Sequence, residues 1–293
     1  MEARLYRLLR RFIEQVPHPR RQRAQFSDRL IVLVLLWAVL HDRSVLWATQ
    51  CQNWPEELDH LLPGGSTMSR RLRSLGVLQL LERVLQQLID AFAITMVCSI
   101  DSMPLRVGSY SHDRNATRGM AAGAKQRGYK LHGVCNNGVI RCWTLSGMAR
   151  HDSQPGRELL ERMPRHSGIL YVTGDNAYDG NDLHQLAQKQ ARQLVTPPRA
   201  SNQGKRDRNY NTEARLRSLD LCDPLLRSMK VTSGFGQALH AQRKQIERSF
   251  GRLVLRGMHL PPWVRRPRRV ASWVTAKLII DVYRQALKQR LVT

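Results

Sequence analysis

The sequence predicts an α/β fold in which a mixed β-sheet is flanked by helices and is preceded by a small all-α domain. Residues 1–93 carry helix-capping residues and apolar residues at helical spacing. From residue 94 onward, short β-branched runs typical of buried strands alternate with helical segments. An Asn137–Gly138 dipeptide between two strand-like runs predicts a β-hairpin. The chain therefore divides into a helical domain, 1–93, and an α/β domain, 94–293.

The amino-terminal domain is predicted to contain several short helices. Phe26–Ser27–Asp28 offers capping residues for a helix that continues to Leu40, and later helices are expected to start at Ser44, Pro55 and Ser66. Residues 63–75 form a turn and a short basic helix, which resembles the second helix of a helix-turn-helix. Its candidate DNA-binding side chains are Arg70, Arg71 and Arg73. A solvated surface helix explains the same pattern equally well, so a role of this domain in DNA binding or dimerisation is a hypothesis.

The α/β domain begins with the strand-like run ITMVCSID, which the LRV segment after Pro104 extends or pairs with. A polar loop is expected over Ser109–Gln126, before the Asn137–Gly138 hairpin. A helix, a strand, a helix and a strand are then predicted over Gln154–Met163, 168–175, Leu183–Ala191 and Gln193–Thr196. This order of elements is the topology of the ribonuclease H-like fold.

The last third of the chain is predicted to be helical around a basic insertion. The insertion covers 198–235, and its polar residues 199–215 are expected to form an exposed loop that faces nucleic acid. Helices are predicted over Glu213–Leu219, Ala238–Arg256 and Val270–Leu291.

The charge of the chain points to a polyanionic partner. Its 47 Lys and Arg against 23 Asp and Glu give a net charge of +24, and no single tail accounts for the excess. A ribosome-associated protein, a protein on an anionic membrane surface and a merely solvated basic surface are the alternatives. The longest apolar run, Leu30–Leu40, is too short to span a bilayer and no signal peptide precedes it, so a cytoplasmic location is expected. Five cysteines without a Cys-x-x-Cys pair argue against a disulfide framework or a zinc knuckle.

Three acids are placed where they can form one metal site. Asp101 and Asp175 each follow an apolar strand directly, and Glu247 lies in a helix one turn after Arg243. Breaking a phosphodiester requires an activated water and a stabilised leaving oxygen, and two hard cations about 3.5–4 Å apart supply both. Magnesium takes oxygen ligands, so two Asp and one Glu suffice to hold such a pair. Each acid alone is more simply explained as a turn residue, a helix cap or an ion-pair partner of Arg243.

Four segments resemble the catalytic blocks of bacterial insertion-sequence transposases of the DDE type, which have a ribonuclease H-like core. The segments are SIDSMPLRV, GYKLHGVCNNG, VTGDNAYDG and QRKQIERSFGRL. The resemblance implies that Asp101, Asp175 and Glu247 hold two Mg²⁺ ions, for which Mn²⁺ can substitute. It further implies that the protein cleaves double-stranded transposon ends, joins the 3′ hydroxyl to target DNA, and acts near the bacterial nucleoid as a homodimer or higher oligomer.

The block around Glu247 departs from the family pattern at two positions. Many relatives have Tyr, Arg, Glu and Lys where this chain has His240, Arg243, Glu247 and Val254. Because the missing Lys contacts the DNA end in relatives, this contact is less certain than the chemistry. Arg243 is a candidate DNA contact, and the candidate replacements for the Lys are Arg252 and Arg256.

Other polar residues near the acids have two possible roles each. Lys130 and His132 occupy alternate positions of a strand, where they point either towards the metals and phosphate or into solvent. Lys130 is therefore included among the candidate DNA-binding residues. Asp152, at a strand-to-helix junction, is interpreted as a helix cap. Trp263, beside prolines, is a core residue or a stacking platform for a base.

Three rival functions remain open on the sequence. A nuclease of the same fold cuts without joining, and a domesticated or inactive transposase derivative uses only its basic surface to bind DNA. A ribosomal or membrane-surface protein is disfavoured, because it would not need acid-bearing blocks in this order.

Overall fold

The computed structural model describes residues 2–19, 24–55, 61–108, 111–121, 123–164, 168–199, 210–222 and 233–292. By its internal contacts the chain divides into two compact units. The first comprises Met1–Phe92, Tyr110–Asp113 and Leu253–Thr293, and the second comprises Ala93–Ser109 and Arg114–Arg252. The carboxy-terminal residues thus group with the amino-terminal helices. The division of function between 1–93 and 94–293 stays a prediction.

The amino-terminal part of the first unit is helical, as the sequence predicts. Its α-helices are α1 (Glu2–Gln15), α2 (Asp28–Leu40), α3 (Val45–Ala48), α4 (Gly65–Arg71) and α5 (Leu75–Asp90). Ser27 caps α2 by accepting the Leu30 N–H at 3.2 Å, and Ser44 caps α3 by accepting the Trp47 N–H at 3.2 Å. The helix expected to start at Pro55 falls on residues 56–60, which lie outside the described part of the chain.

Aromatic and helical packing fills the core of the first unit. Trp37 on α2 stacks on Trp54, with the ring centroids 4.9 Å apart, and Tyr6 packs edge-on against both. The last helix, α11 (Pro267–Lys288), packs against α2 and α5. It begins at Pro267 rather than at Val270, because proline is well tolerated in a first helical turn, where its missing N–H is not needed.

The second unit is built on a six-stranded mixed sheet. Its strands are β1 (Val97–Arg106), β2 (Thr117–Ala121), β3 (Ala124–Asn136), β4 (Val139–Gly147), β5 (Tyr171–Thr173) and β6 (Gln193–Val195). β3 pairs antiparallel with β1 and β4, whereas β5 runs parallel to both β1 and β6. The helices α6 (Ser153–Arg162) and α7 (Asn181–Lys189) connect β4 to β5 and β5 to β6. This arrangement confirms the predicted ribonuclease H-like α/β class.

Two local predictions for the sheet hold. Asn137 and Gly138 have φ values of +52° and +76°, and both angles are those of the tight turn that joins β3 to β4. The LRV segment after Pro104 extends β1 as far as Arg106. Pro104 is tolerated there because β5 pairs only with Val97–Ser99, which leaves one side of β1 without a neighbouring strand at Pro104.

The loop predicted over Ser109–Gln126 is partly wrong. Thr117–Ala121 form strand β2, which pairs with the first five residues of β3, Ala124–Gly128. The segment was expected to be a loop because it is polar and contains two glycines. Gly119 is required for packing, since a Cβ atom at this position would lie 2.2 Å from the Met148 carbonyl oxygen.

The single helix predicted over Ala238–Arg256 is also wrong. The structure has two helices, α9 (Ser233–Ala241) and α10 (Lys244–Leu255), with a break at Gln242 and Arg243. The Ser99 hydroxyl on β1 donates to the Gln242 carbonyl at 2.9 Å, so a bond from the sheet satisfies a carbonyl at the break. The preceding helix, α8 (Glu213–Cys222), agrees with the prediction that a helix starts at Glu213.

Two further sequence expectations concern the chain outside the sheet. Residues 200–209 and 223–232 of the predicted insertion, including most of the loop expected to face nucleic acid, lie outside the described residues. No helix within the described ranges is long and apolar enough to cross a membrane.

Candidate active site

The pairing of β1 with β5 sets the positions of Asp101 and Asp175. The two strands run parallel with Ser99 opposite Thr173, and their side-chain hydroxyls hydrogen-bond at 2.9 Å. Asp101 lies two residues after Ser99, and Asp175 lies two residues after Thr173. Because side chains alternate along a strand, both carboxylates leave the same edge of the sheet from equivalent positions. Asp175 follows the end of β5, as the sequence predicts, whereas Asp101 lies within β1, which continues to Arg106. The register of the two strands nevertheless gives the two acids neighbouring positions.

Backbone amides hold both carboxylates in place. Asp101 accepts the Ser102 N–H at 2.7 Å. Asp175 caps a short 3₁₀ turn over Asn176–Tyr178 by accepting the Ala177 N–H at 2.9 Å. Each of these bonds uses Oδ1, and a carboxylate oxygen can accept more than one bond.

Glu247 reaches the same edge from helix α10. Ile246 and Phe250 are buried, and Phe250 packs over Gly133 of β3. Ser249 donates to the Gly138 carbonyl at 3.0 Å, and Arg252 donates to the same carbonyl at 2.8 Å. These contacts fix α10 on the face of the sheet that also carries Ser99.

Arg243 joins two of the acids. Its Nη2 lies 2.5 Å from Glu247 Oε1, and its Nη1 lies 3.7 Å from Asp101 Oδ2. The break between α9 and α10 places Arg243 just before the first turn of α10, one helical turn from Glu247. The guanidinium therefore partly neutralises the cluster.

The electrostatics show that the acids repel one another. Burial, helped by the charges of Asp175 and Glu247, raises the pKa of Asp101 to about 6, although the Ser102 N–H and Arg243 oppose the increase. Burial and then the charge of Asp152 raise the pKa of Asp175, while the Ala177 N–H, Arg243 and Arg199 oppose the increase. The metal-free protein therefore keeps these carboxyl groups together at a cost in stability.

The donor set fits a hard cation, but the acids are not closed around one. Asp101, Asp175 and Glu247 offer only carboxylate oxygens, which Mg²⁺ and Mn²⁺ prefer. Among the described residues, no group of three or more His, Cys, Asp or Glu side chains is gathered tightly enough to hold a metal ion. Glu247 is instead bonded to Arg243 and is 45% exposed. The Glu247 side chain would have to leave Arg243 before all three acids share a cation.

Asp152, Lys130 and His132 form a separate cluster on the face of the sheet that packs against α6. Asp152 occupies the N-cap position of α6, as the sequence suggests, but its side chain makes no capping bond: the carboxylate binds Lys130 Nζ at 2.7 Å instead. Lys130 thus has an internal anionic partner. His132 is fully buried and bonds to Ser146 Oγ at 2.8 Å, so neither orientation expected from the sequence is correct. Burial lowers the pKa of His132 to about 4, which keeps its ring neutral.

The other candidate DNA-binding arginines differ in their surroundings. Arg70 and Arg73 are exposed at the end of α4. Arg71 is buried, and it binds Asp28 Oδ1 at 2.5 Å and the Phe26 carbonyl at 2.8 Å, so the expectation that it faces DNA is corrected. Arg256 pairs with Asp281, and Val254 is 57% exposed at the place of the family Lys.

The turn after Asp175 depends on residues that sequence reasoning missed. Asp179 is buried and accepts two bonds from Arg215, at 2.7 and 2.8 Å. Arg199 donates its N–H to Asp179 at 3.1 Å and its guanidinium to the Asn176 and Ala177 carbonyls. These partners are 20 to 36 residues away in sequence, so no local pattern indicates them.

Comparisons with known proteins identify one family. The family described as "Transposase DDE domain" matches residues 94–280. No curated protein sequence matches the chain significantly. The solved piggyBac transposase synaptic complex with hairpin DNA is similar at 10% identity and a TM-score of 0.34, over 99% of this chain and 80% of that chain. The Drosophila P element transposase strand transfer complex is similar at 11% identity and a TM-score of 0.29, over 92% and 83% of the two chains. TM-scores this low do not support a relationship by themselves, so family membership rests on the match to residues 94–280.

Asp101→Asn should stabilise the metal-free protein at neutral pH. The folded state holds the Asp101 proton up to a pKa of about 6, whereas the unfolded chain releases it near pH 4. Ionisation of Asp101 therefore destabilises the folded protein as the pH rises from about 4 to about 6. The amide of Asn does not ionise, so the variant should avoid roughly 1–3 kcal/mol of this loss in the free energy of unfolding. Urea unfolding in EDTA at pH 5 and pH 8 measures the effect. Asp182→Asn, on an exposed acid, is the control, and an Asp101→Asn protein no more stable than this control at pH 8 contradicts the prediction.

Asp179→Asn should have the opposite effect. Burial alone would raise the pKa of Asp179, but hydrogen bonds from His184, Arg215 and the Arg199 amide hold it well below its usual range. Loss of the carboxylate leaves Arg215 buried without its charge partner, which costs about 3–5 kcal/mol at pH 7. The contribution of Asp179 is present above about pH 4 and is lost as the pH falls below that value, so the difference from wild type narrows in acid. Unfolding curves at pH 7 and pH 3 test both statements; a loss under about 1 kcal/mol at pH 7 would refute them.

Proposed function

The chain belongs to the family of transposases with a DDE domain, and from this premise we propose that Asp101, Asp175 and Glu247 are its three catalytic acids. The observation that supports the proposal best is the register of β1 and β5, which puts Asp101 and Asp175 at equivalent places beside each other. Arg243 links Asp101 to Glu247, so the third acid belongs to the same cluster. Among the residues that the structure describes, no other group of acids in the second unit follows the order Asp, Asp, Glu of the family's motif.

The proposed reaction cuts transposon ends and joins them to target DNA. Water attacks a phosphorus atom at the transposon end, the bond from phosphorus to the 3′ oxygen breaks, and that oxygen leaves as a 3′ hydroxyl after taking a proton. This hydroxyl then loses its proton as its oxygen attacks a phosphorus of target DNA. The bond from that phosphorus to the target's 3′ oxygen breaks, and this oxygen takes a proton and leaves as a 3′ hydroxyl. Two Mg²⁺ or Mn²⁺ ions held by the three acids would supply Lewis-acid activation of the attacking oxygen and stabilisation of the leaving one.

The chain's own residues orient the acids for this chemistry. The Ser102 and Ala177 amides fix one oxygen of Asp101 and one of Asp175, so these side chains lose little further freedom when they bind a cation. The bonds of Arg199 and Arg215 around Asp179 hold the turn that carries Asp175. Double-stranded DNA is the proposed partner, and a homodimer or higher oligomer on paired ends is the proposed assembly.

Arg243 has two proposed partners in turn. In the absence of DNA it compensates the charges of Asp101 and Glu247, and with DNA bound it contacts a phosphate. Its release from Glu247 would make that carboxylate available as a ligand. This exchange would couple DNA binding to completion of the site, because one guanidinium cannot serve both partners fully.

The central test measures both cutting and joining. Duplexes that carry the DNA flanking the coding sequence are incubated with wild type or with Asp101→Asn, Asp175→Asn or Glu247→Gln, in Mg²⁺ or Mn²⁺. Each acid is proposed to contribute several kcal/mol to stabilising the transition state, so each variant should lose about 100-fold or more of both activities. Asp182→Asn, which removes an exposed acid of the same unit, should retain activity.

The possible results separate the rival functions. Cutting without strand transfer products identifies a nuclease. Binding without cutting identifies an inactive DNA-binding derivative. Unchanged cutting by all three acid variants shows that the proposed site is wrong.

Arg243→Gln tests the exchange of partners. Without the guanidinium, the acids repel one another more strongly, so the protein in EDTA should unfold at a lower urea concentration. The same change removes a competing cation, so Mn²⁺ should bind about two- to fivefold more tightly by calorimetry. Arg248→Gln removes an equal charge from an exposed position on α10 and is the matched control. Equal Mn²⁺ affinity in the two variants would show that Arg243 does not occupy the acids.

A further inference from the structure

A turn in the first unit exposes four arginines within five residues. It covers residues 263–269, just before and within the start of α11, and we call it the arginine turn. Its exposed cationic side chains are Arg265, Arg266, Arg268 and Arg269. Trp263, at its first position, is 42% exposed. From this stretch the sequence singles out only Trp263, and none of these arginines is among the candidate DNA-binding residues.

The backbone of the arginine turn is fixed from both sides. Val264 and Val270 are buried and flank the exposed residues. Arg266 has a φ of +71°, and its N–H donates at 2.8 Å to a carboxylate oxygen of Asp113, which is itself 3% exposed. The Arg266 carbonyl accepts the Val270 N–H at 3.0 Å. A non-glycine residue keeps this conformation only where its surroundings hold it, so the turn is ordered before any partner binds.

Within the described part of the chain, the guanidinium groups of Arg265, Arg266, Arg268 and Arg269 form no ion pair with a carboxylate. The Arg265 guanidinium donates instead to the Pro262 carbonyl at 2.8 Å. Asp113 accepts the backbone N–H of Arg266 and so helps to position the turn. By contrast, Arg71 and Arg256 in the same unit each pair with a buried Asp. Four exposed guanidinium groups within five residues of one ordered turn form a local concentration of positive charge that suits an external polyanion.

We propose that the arginine turn binds the phosphate backbone of double-stranded DNA. Guanidinium groups match phosphate oxygens in pairs, and a pre-ordered turn loses little conformational entropy when it binds. Several adjacent cations match a row of phosphates better than they match a single small anion. The identity of the polyanion as DNA rests on the proposed function, whereas the array of cations does not. Because Asp101, Asp175 and Glu247 belong to the other unit, the turn can be altered without touching them.

The test is the salt dependence of binding by the full chain. The double variant Arg268→Gln/Arg269→Gln and wild type are titrated with a fluorescent duplex of arbitrary sequence in EDTA, over a range of KCl concentrations. Each lost phosphate contact lowers the slope of log affinity against log salt by about 0.9, so the double variant should lose nearly two units. Its affinity at about 0.1 M salt should fall roughly tenfold or more.

A charge-matched variant separates local contacts from the overall charge. Arg10→Gln/Arg157→Gln removes the same two charges from exposed arginines that already pair with Glu14 and Glu161. This control should keep its slope within about half a unit of wild type. Equal loss of slope in the two double variants would overturn the proposal, and so would tighter, equally salt-dependent binding of an RNA duplex. Circular dichroism melting curves check that both variants fold.

Failure of this proposal can be distinguished from failure of the proposed function. Binding is measured in EDTA, where no cutting is expected, and strand transfer is measured separately on wild type. A slope loss specific to the turn supports this proposal even if wild type neither cuts nor joins DNA. Wild-type strand transfer together with a turn variant that binds like its control overturns this proposal alone.

Discussion

The parallel pairing of β1 with β5 is the constraint on which the candidate site depends. It sets Ser99 opposite Thr173, and a shift of one residue would turn either Asp101 or Asp175 to the other face of the sheet. The Ser99 hydroxyl also binds the Gln242 carbonyl at the break between α9 and α10. One buried serine thus contacts both β5 and the segment that carries Arg243 and leads to Glu247. The three acids belong to three separate stretches of sequence, and their common reference point is this small polar contact.

The site is held together against its own charge. Burial and neighbouring acids raise the pKa of Asp101 and of Asp175, whereas Arg243, Arg199 and two backbone amides oppose the increase. The turn that carries Asp175 is held separately by the ion pair of Asp179 with Arg215. A cluster of buried acids lowers the stability of a fold, because stability alone would favour fewer buried charges. Strain of this sort is expected where a protein keeps groups ready for a ligand or a reaction.

Local sequence patterns predicted the elements whose cause is local. The Asn137–Gly138 turn, the helix starts near Ser27 and Ser44, and the end of β5 just before Asp175 follow from the residues beside them. By contrast, β1 does not end at Asp101 but continues to Arg106. The failures have long-range causes. Strand β2 exists because β3 provides a partner for a polar segment, and the helix break at Gln242 is stabilised by Ser99, far away in sequence. Arg71 looks like a surface cation in its helix, but Asp28 and the Phe26 carbonyl draw it into the core. Asp152 has the sequence context of a cap, yet Lys130 on a neighbouring strand takes its carboxylate.

The difference between arginines with and without an internal acid partner also affects how the net charge of +24 is interpreted. Composition counts every arginine equally, but a guanidinium that already has a buried carboxylate partner gains little from a phosphate, since it would first have to give that partner up. Arg71, Arg215 and Arg256 are of this kind, and they contribute to folding rather than to binding. Exposed arginines without a carboxylate partner, such as those of the arginine turn, can bind a phosphate without first breaking an ion pair. The basic character of the sequence therefore predicts the class of partner, whereas the pattern of internal ion pairs is what indicates which surface the partner can use.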